Sequence, residues 1–333
     1  MADSRPPPST SDPVQLKRKA KREALNALHA NPLPIRPSKN KLDSGSWPWS
    51  SLLFLPFTAR TIQDSNANIK ATIVGIGVWI DDFDQSRILW TDGFFGKGTL
   101  SRSEPLYGRG NENRMGILKR KLAGKLGNAS VSVAVEAAGE GEKALGYNPE
   151  RVQLSPFESI FLAWALDCVD IRSACGEPMG TTSLWKYMMN QMTQYTTQPD
   201  VMTNGLRQSE WEFIARYIVY HVYRARRWVV WSGIKFGADF VCYRKGPVFT
   251  HSEYALVVLP VVNNETVGFS QDFKWYLGLN RVCAQVKKNV VLCYVHFGDD
   301  FTVRDGQHPY DVLRKYRLEE ITIKRFIPER NRD

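Results

Sequence analysis

Apolar positions along the chain recur with two different periods, and the blocks they form predict two sets of strands and helices. Residues 71–80, ATIVGIGVWI, followed by Asp81-Asp82 and then residues 85–91, read as a β-hairpin. Ser155-Pro156-Phe157-Glu158 supplies an N-cap, a proline at the first helical position and an acid in the first turn. The apolar run 160–166 behind it predicts a helix buried on most sides. Residues 173–200, with a Met-rich, aromatic cluster at 184–195, read as an interdomain linker helix or a partner-binding segment.

The second half opens with a capping box, Ser209 with Glu212, and Phe213, Ile214, Tyr217, Ile218 and Val222 then recur at helical spacing as far as Arg226-Arg227. Residues 228–231, Ser232-Gly233 and 234–243 read as strand, turn, strand. Gly246-Pro247 marks a turn before a strand at 254–262. A helix over 271–288 precedes a buried strand at 290–297, and a last strand is expected at 321–327. The fold class is α/β: an N-terminal α+β domain followed by a domain with a mixed sheet flanked by helices. The boundaries are a basic arm over 1–45, an N-terminal domain over 46–205 and a C-terminal domain over 206–333. The arm is rich in Pro, Ser and Lys and is expected to be disordered.

With 333 residues, 43% of them hydrophobic, the chain has material for a sizeable core and room for two domains. Its formal charge of +10 favours a polyanionic partner. Lys17, Arg18, Lys19, Lys21 and Arg22 read either as a nuclear import signal or RNA-binding arm, or as the solvated turn of a short helix. Residues 114–125 are basic and expected to be helical. Five cysteines without CxxC spacing, most of them inside apolar runs, read as reduced core thiols, not a zinc site or a disulfide framework. No apolar run reaches the roughly 18–20 residues of a membrane span.

Candidate chemistry concentrates between residues 235 and 288. Tyr243 and His251 flank the Gly246-Pro247 turn, and Lys288 opens the strand at 290–297; if that strand lies beside the one at 254–262, its start approaches His251. A phenol, an imidazole and an ammonium suffice to cleave RNA without a metal, because the 2′-hydroxyl is an internal nucleophile. One group takes its proton, one protonates the leaving 5′-oxygen, and a cation stabilises the phosphorane. An imidazole with an ordinary pKa of about 6.5 suits the acid, and a phenol near about 10 serves as base only when a neighbouring ammonium stabilises its phenolate. Lys288 is expected to do that as well as neutralise the phosphorane. Taken singly, Tyr243 reads as a half-buried strand aromatic, His251 as a turn histidine and Lys287-Lys288 as a solvated helix end. His29, His221, His296 and His308 read as structural.

The block GIKFGADFVCYRKGPVFTHSEY, followed by Asn280-Arg281-Val282 and KKNVVLCYV, resembles the catalytic domain of the tRNA-splicing (tRNA-intron) endonuclease family. A separate segment, GFFGKGTLSRSEP at 93–105, together with PLPI at 32–35, resembles the subunit type that cuts the 5′ exon–intron junction. The glycines of that segment match neither a P-loop nor a dinucleotide fingerprint, so the motif is expected to shape a turn beside Lys97 and Arg102.

The resemblance implies a restriction-endonuclease-like fold and a metal-independent tRNA-intron lyase. Its catalytic residues fall on Tyr243, His251 and Lys288, its products are a 2′,3′-cyclic phosphate and a 5′-hydroxyl, and it needs no cofactor. It also implies that Arg281 and Phe326 clamp a bulged nucleotide of the RNA. Cation–π attraction and stacking would each contribute about 1–3 kcal/mol there. The implied partners are intron-containing pre-tRNA, a second catalytic subunit and two structural subunits in a heterotetramer, with no membrane span. The last strand and the loop over 298–309 are the expected subunit contacts. The implied place is the nucleus, with the mitochondrial outer surface as the alternative. Two other readings stand beside this one. A metal-dependent nuclease would pair Asp239 with Glu253, but the lysine of the usual Glu-x-Lys is missing. A non-catalytic RNA-binding or scaffold subunit would lack the reactive trio.

Overall fold

The computed structural model describes residues 69–99, 151–194, 201–268 and 272–324, together with residues 19, 20, 22–24, 26 and 27 of the arm. Those arm positions are helical and exposed, and Lys19 lies 4.0 Å from Glu23 one turn on. The basic segment 114–125, the PLPI run and Phe326 fall outside the described residues.

The N-terminal unit is built on a five-stranded sheet in the order β3-β4-β2-β1-β5. Its strands are β1 (Ile69–Val74), β2 (Gly77–Ile80), β3 (Lys97–Gly98), β4 (Val152–Leu154) and β5 (Val169–Arg172). The hairpin expected over 71–91 is shorter and earlier. Gly75, at φ 59°, makes the turn inside 69–80 and pairs β1 with β2. Residues 83–93 are not a strand but helix α1 (Phe83–Gly93), whose N-cap is Asp82, its carboxylate accepting the Gln85 N–H at 3.0 Å. The Asp pair thus leads into a helix cap at Asp82 and not into a hairpin turn.

Helix α2 (Pro156–Ile160) starts as expected, with a capping box between Ser155 and Glu158, and continues as a π-helical turn over Phe161–Ala165. Helix α3 (Thr181–Thr193) carries the Met-rich cluster, but Leu184, Trp185, Met188 and Met189 are all buried in the core. That face is internal packing rather than a linker or partner surface. Trp185 donates to the Gly306 carbonyl at 2.8 Å, tying α3 to the C-terminal unit.

A two-stranded ribbon, β6 (Met202–Thr203) with β7 (Leu206–Arg207), leads into helix α4 (Gln208–Ala225). The capping contact lies two residues earlier than expected: the Glu210 carboxylate accepts the Arg207 N–H at 2.8 Å. The main sheet has the order β13-β12-β10-β9-β8, with β8 (Val229–Ser232), β9 (Phe240–Tyr243), β10 (Tyr254–Val262), β12 (Asn289–Phe297) and β13 (Tyr316–Ile323). A short β11 (Glu265–Thr266) pairs with β10. Strand β9 begins later than expected, because a 3-10 turn at Ile234–Phe236 takes up the residues after Gly233. Strand β13 begins earlier, at Tyr316.

Strands β10 and β12 run parallel over their full nine-residue length, so the chain must cross over between them, and helix α5 (Phe273–Gln285) is that crossover. Their near-continuous apolar sequences follow from burial on both faces. Leu256, Val258, Val291, Cys293 and Val295 enter the core shared with α4 and the N-terminal unit. Ala255, Val257, Leu259, Val290 and Leu292 alternate with them and pack against Leu279 and Cys283 of α5. Cys168, Cys242, Cys283 and Cys293 are buried free thiols, and Cys175 is exposed. Among the described residues no helix is long and apolar enough to cross a membrane.

Candidate active site

Three adjacent strands, β9, β10 and β12, bring Tyr243, His251 and Lys288 to one end of the sheet. Tyr254 is paired with Cys242 on one side and with Asn289 on the other. The ladder extends one step further, where the Glu253 N–H donates to Cys242 and the Asn289 N–H donates to Glu253, at 2.9 and 3.0 Å. Tyr243 ends β9, Lys288 immediately precedes β12, and His251 lies just ahead of β10. The expectation that the start of the 290–297 strand approaches His251 follows from this parallel register.

Ser252, a residue the sequence reading passed over, joins the three positions. Its backbone carbonyl accepts a hydrogen bond from Lys288 Nζ at 3.1 Å, its side chain is hydrogen-bonded with the Tyr243 phenol, and His251 is its chain neighbour. Ser252 itself is buried. Nothing in the local sequence distinguishes it from any turn serine; only the closure of the three strands gives it this place.

Lys288 is buried, and its ammonium sits 4.8 Å from the centroid of the Phe236 ring. Phe236, in the 3-10 turn, was also missed. Burial lowers the Lys288 pKa from its ordinary value, with the Cys283 thiol opposing. Its neighbour Lys287 is exposed and takes a left-handed φ of 57° where α5 ends, so of the two lysines only Lys288 points inward. The helix end releases its chain through that turn, and the Lys288 N–H donates to the Cys283 carbonyl at 2.9 Å.

Tyr243 is half-buried against Trp231, the two rings meeting edge to face at 5.6 Å. Burial raises its pKa above the ordinary phenol value, and the hydrogen bond with Ser252 opposes the rise. This corrects the expectation that Lys288 holds the phenolate down: the ammonium is directed to the Ser252 carbonyl, so desolvation of the phenol dominates. His251 is exposed at the mouth of the site, next to the 244–250 turn. The arrangement therefore presents a solvent-reachable imidazole, a half-buried phenol and an inward ammonium on one rim, the groups that in-line attack by a 2′-hydroxyl requires.

The other candidates separate. Arg281 is exposed on α5, the helix that leads into Lys288. Asp239 and Glu253 do not form a carboxylate pair. Asp239 accepts from Arg216 at 2.7 Å through one oxygen and from the Val258 N–H at 2.8 Å through the other, while Glu253 faces Arg244 at 3.2 Å. Both acids are committed to structural contacts, which leaves the metal-nuclease reading without its ligands. His296 lies 3.2 Å from Glu319, His308 caps a short helix by accepting the Tyr310 N–H, and His221 is buried, so all three have structural surroundings.

Residues 213–303 match the tRNA intron endonuclease, catalytic C-terminal domain. The C-terminal region of the chain carries a tRNA-intron endonuclease catalytic domain. The match spans α4 through β12 and so contains Tyr243, His251, Arg281 and Lys288. The chain is 26% identical over 322 residues to the probable tRNA-splicing endonuclease subunit sen2 of Schizosaccharomyces pombe, covering 76% of this chain and 84% of that protein. It is 30% identical over 188 residues to the tRNA-splicing endonuclease subunit SEN2 of Saccharomyces cerevisiae, and 31% over 191 residues to subunit Sen2 of Rattus norvegicus. These last two alignments cover 55% and 56% of this chain but only 43% and 37% of the relatives, so the chain spans less than half the length of each. The family is one of endoribonucleases, which agrees with the chemistry the rim of the sheet presents.

Proposed function

We propose that this chain is the subunit of a tRNA-splicing endonuclease that cuts pre-tRNA at the 5′ exon–intron junction, and that Tyr243, His251 and Lys288 are its catalytic residues. The observation that carries the reading is the convergence of those three positions around Ser252 at one end of the β9-β10-β12 sheet. Tyr243 takes the proton of the 2′-hydroxyl, the oxygen attacks the adjacent phosphorus, and the 5′-oxygen leaves with a proton from His251. The products are a 2′,3′-cyclic phosphate and a 5′-hydroxyl. Lys288, desolvated beneath the rim, places its positive charge where the phosphorane develops.

Because the resting Tyr243 is a raised phenol, it becomes an effective base only once a further positive charge or hydrogen-bond donor meets it in the RNA-bound state. Arg281 and Phe326 would grip a nucleotide cut by a second catalytic subunit, which gives the heterotetramer its purpose. Strand β13 is one edge of the main sheet and exposes Ile321, the chemistry of a subunit contact. The loop over 298–309 has its outer residues Thr302 to Arg304 exposed while Phe301 and Gly306 anchor it in the core. The nucleus is the proposed place of action.

The test is an end-labelled intron-containing pre-tRNA incubated in excess EDTA with the full chain assembled with its partner subunits. Cutting at the 5′ junction with cyclic-phosphate and 5′-hydroxyl termini is expected, and His251→Ala should abolish it while RNA binding and assembly persist. Unchanged cutting by that variant rejects the assignment.

A further inference from the structure

The motif GFFGKG lies in the N-terminal unit, far from the catalytic residues in sequence, yet its second residue touches their connecting turn. Phe94 follows α1 in a left-handed conformation, φ 54°, which aims its ring away from its own sheet and into the C-terminal unit. The conformation is held from several sides. Arg224 Nη1 donates to the Gly93 carbonyl at 2.8 Å, Trp231 Nε1 donates to the Phe94 carbonyl at 3.0 Å, and the Gly96 N–H donates to Glu158 at 3.1 Å. The ring joins a small apolar cluster with Trp90 and Val229, against which Trp231, Tyr243 and Phe249 pack.

The receiving surface is Gly246, in the turn that links Tyr243 to His251. Gly246 is buried at φ 111°, and a Cβ placed on it would lie 2.3–2.7 Å from three atoms of the Phe94 ring. Only a glycine permits so close an approach and that backbone angle. The Gly246 carbonyl in turn accepts the N–H groups of Phe249 and Thr250, at 3.2 and 3.3 Å, immediately before His251. Phe249 also meets Phe94 edge to face at 6.4 Å.

We infer that Phe94 is a positioning residue for the reaction, seating the 244–250 turn from the N-terminal unit and so fixing Tyr243 and His251 relative to one another. The inference rests on the catalytic roles proposed above, but its structural half is separate from them. Trp231 completes the arrangement, holding the Phe94 backbone with its indole N–H and the Tyr243 ring with its edge. The motif is thus a wedge against the catalytic turn rather than a phosphate cradle.

The variant Phe94→Leu removes the ring and keeps an apolar side chain. Phe297→Leu, at the opposite end of β12, serves as a control for general loss of core packing. In the assembled complex Phe94→Leu should lower the single-turnover cleavage rate roughly ten- to a hundredfold with the half-saturating pre-tRNA concentration unchanged. It should also open the exposed Arg244 and Lys245 bonds to trypsin. Phe297→Leu should lower the melting temperature without either effect. A Phe94→Leu protein that keeps both the wild-type rate and the trypsin-resistant turn overturns the inference. So does a Phe297→Leu protein that loses rate equally. If Phe94→Leu does not assemble, Phe249→Leu tests the same contact from the turn, with the same rate loss and trypsin sensitivity expected and their absence overturning the inference. Trypsin opening without cleavage by the wild-type complex would condemn the proposed reaction and leave the wedge standing.

Discussion

Two lysines stand side by side where α5 meets β12, and backbone geometry separates their fates. Lys287 turns outward in the left-handed region while Lys288 is carried under the rim to Ser252. Lys288→Ala is expected to cut the cleavage rate by about 10²–10³, the usual cost of losing one preorganised charge stabiliser, and Lys287→Ala to leave it within severalfold. Comparison of the two single-turnover rates decides between them. The Lys288 pKa is lowered by burial, so its positive charge is lost at a lower pH than an exposed lysine would lose it. Rising pH therefore weakens cleavage as Lys288 loses its charge. A rate profile carried above pH 9 should show this alkaline limb, and Lys288→Arg, which stays charged, should move it upward. His221 is buried among Phe161, Trp164 and Tyr217, and its pKa is lowered to about 4. The unfolded imidazole binds a proton near about 6.5, so stability is lost as pH falls from that value towards the folded one, by about 3 kcal/mol in all. His221→Phe should lessen the difference in unfolding free energy between pH 7 and pH 4 by that amount, measured by denaturant titration.

At the scale of elements, helix α4 is the beam on which both units are mounted. Its Arg224 is almost completely buried, lies over the Phe95 ring at 4.0 Å and donates to Tyr220 and to the Gly93 carbonyl. Glu158, at 3.9 Å, balances its charge without a direct hydrogen bond from the facing nitrogen. Arg224→Ala would strand the Glu158 carboxylate and free the Gly93 turn, and a loss of about 3–5 kcal/mol is expected from chemical denaturation. Much of this level was legible from residue patterns. The helix start at Ser155, and the buried strands at 254–262 and 290–297, follow from capping chemistry and apolar runs. The failures share one cause. Asp81-Asp82 read as a turn and Ser209 read as a cap because short polar residues suit both uses. Which use wins depends on where the next element finds something to pack against.

For the whole molecule, one continuous apolar core joins the N-terminal sheet to α4 and one face of the main sheet. The N-terminal unit is therefore part of the catalytic body, which is why its GFFGKG turn can reach the site. The proposed reaction needs two cleavage centres on one RNA, and a single chain supplies one. Size-exclusion chromatography should find activity only in the assembled complex; an active monomer would contradict the clamp proposed for Arg281 and Phe326.

Sequence by itself carried the chemistry proposed above. A phenol, an imidazole and an ammonium flanking strand boundaries, inside a block resembling tRNA-intron endonucleases, are what that proposal rests on, because side-chain type fixes what each group can donate or accept. The burial of the strands at 254–262 and 290–297 was equally readable, since it follows from their near-continuous apolar runs. Tertiary structure alone decided that Ser252 joins the trio, that Tyr243 is raised rather than lowered, and that Phe94 touches Gly246. Each of these depends on segments distant in the chain meeting at one place, and desolvation and close contact exist only after that meeting.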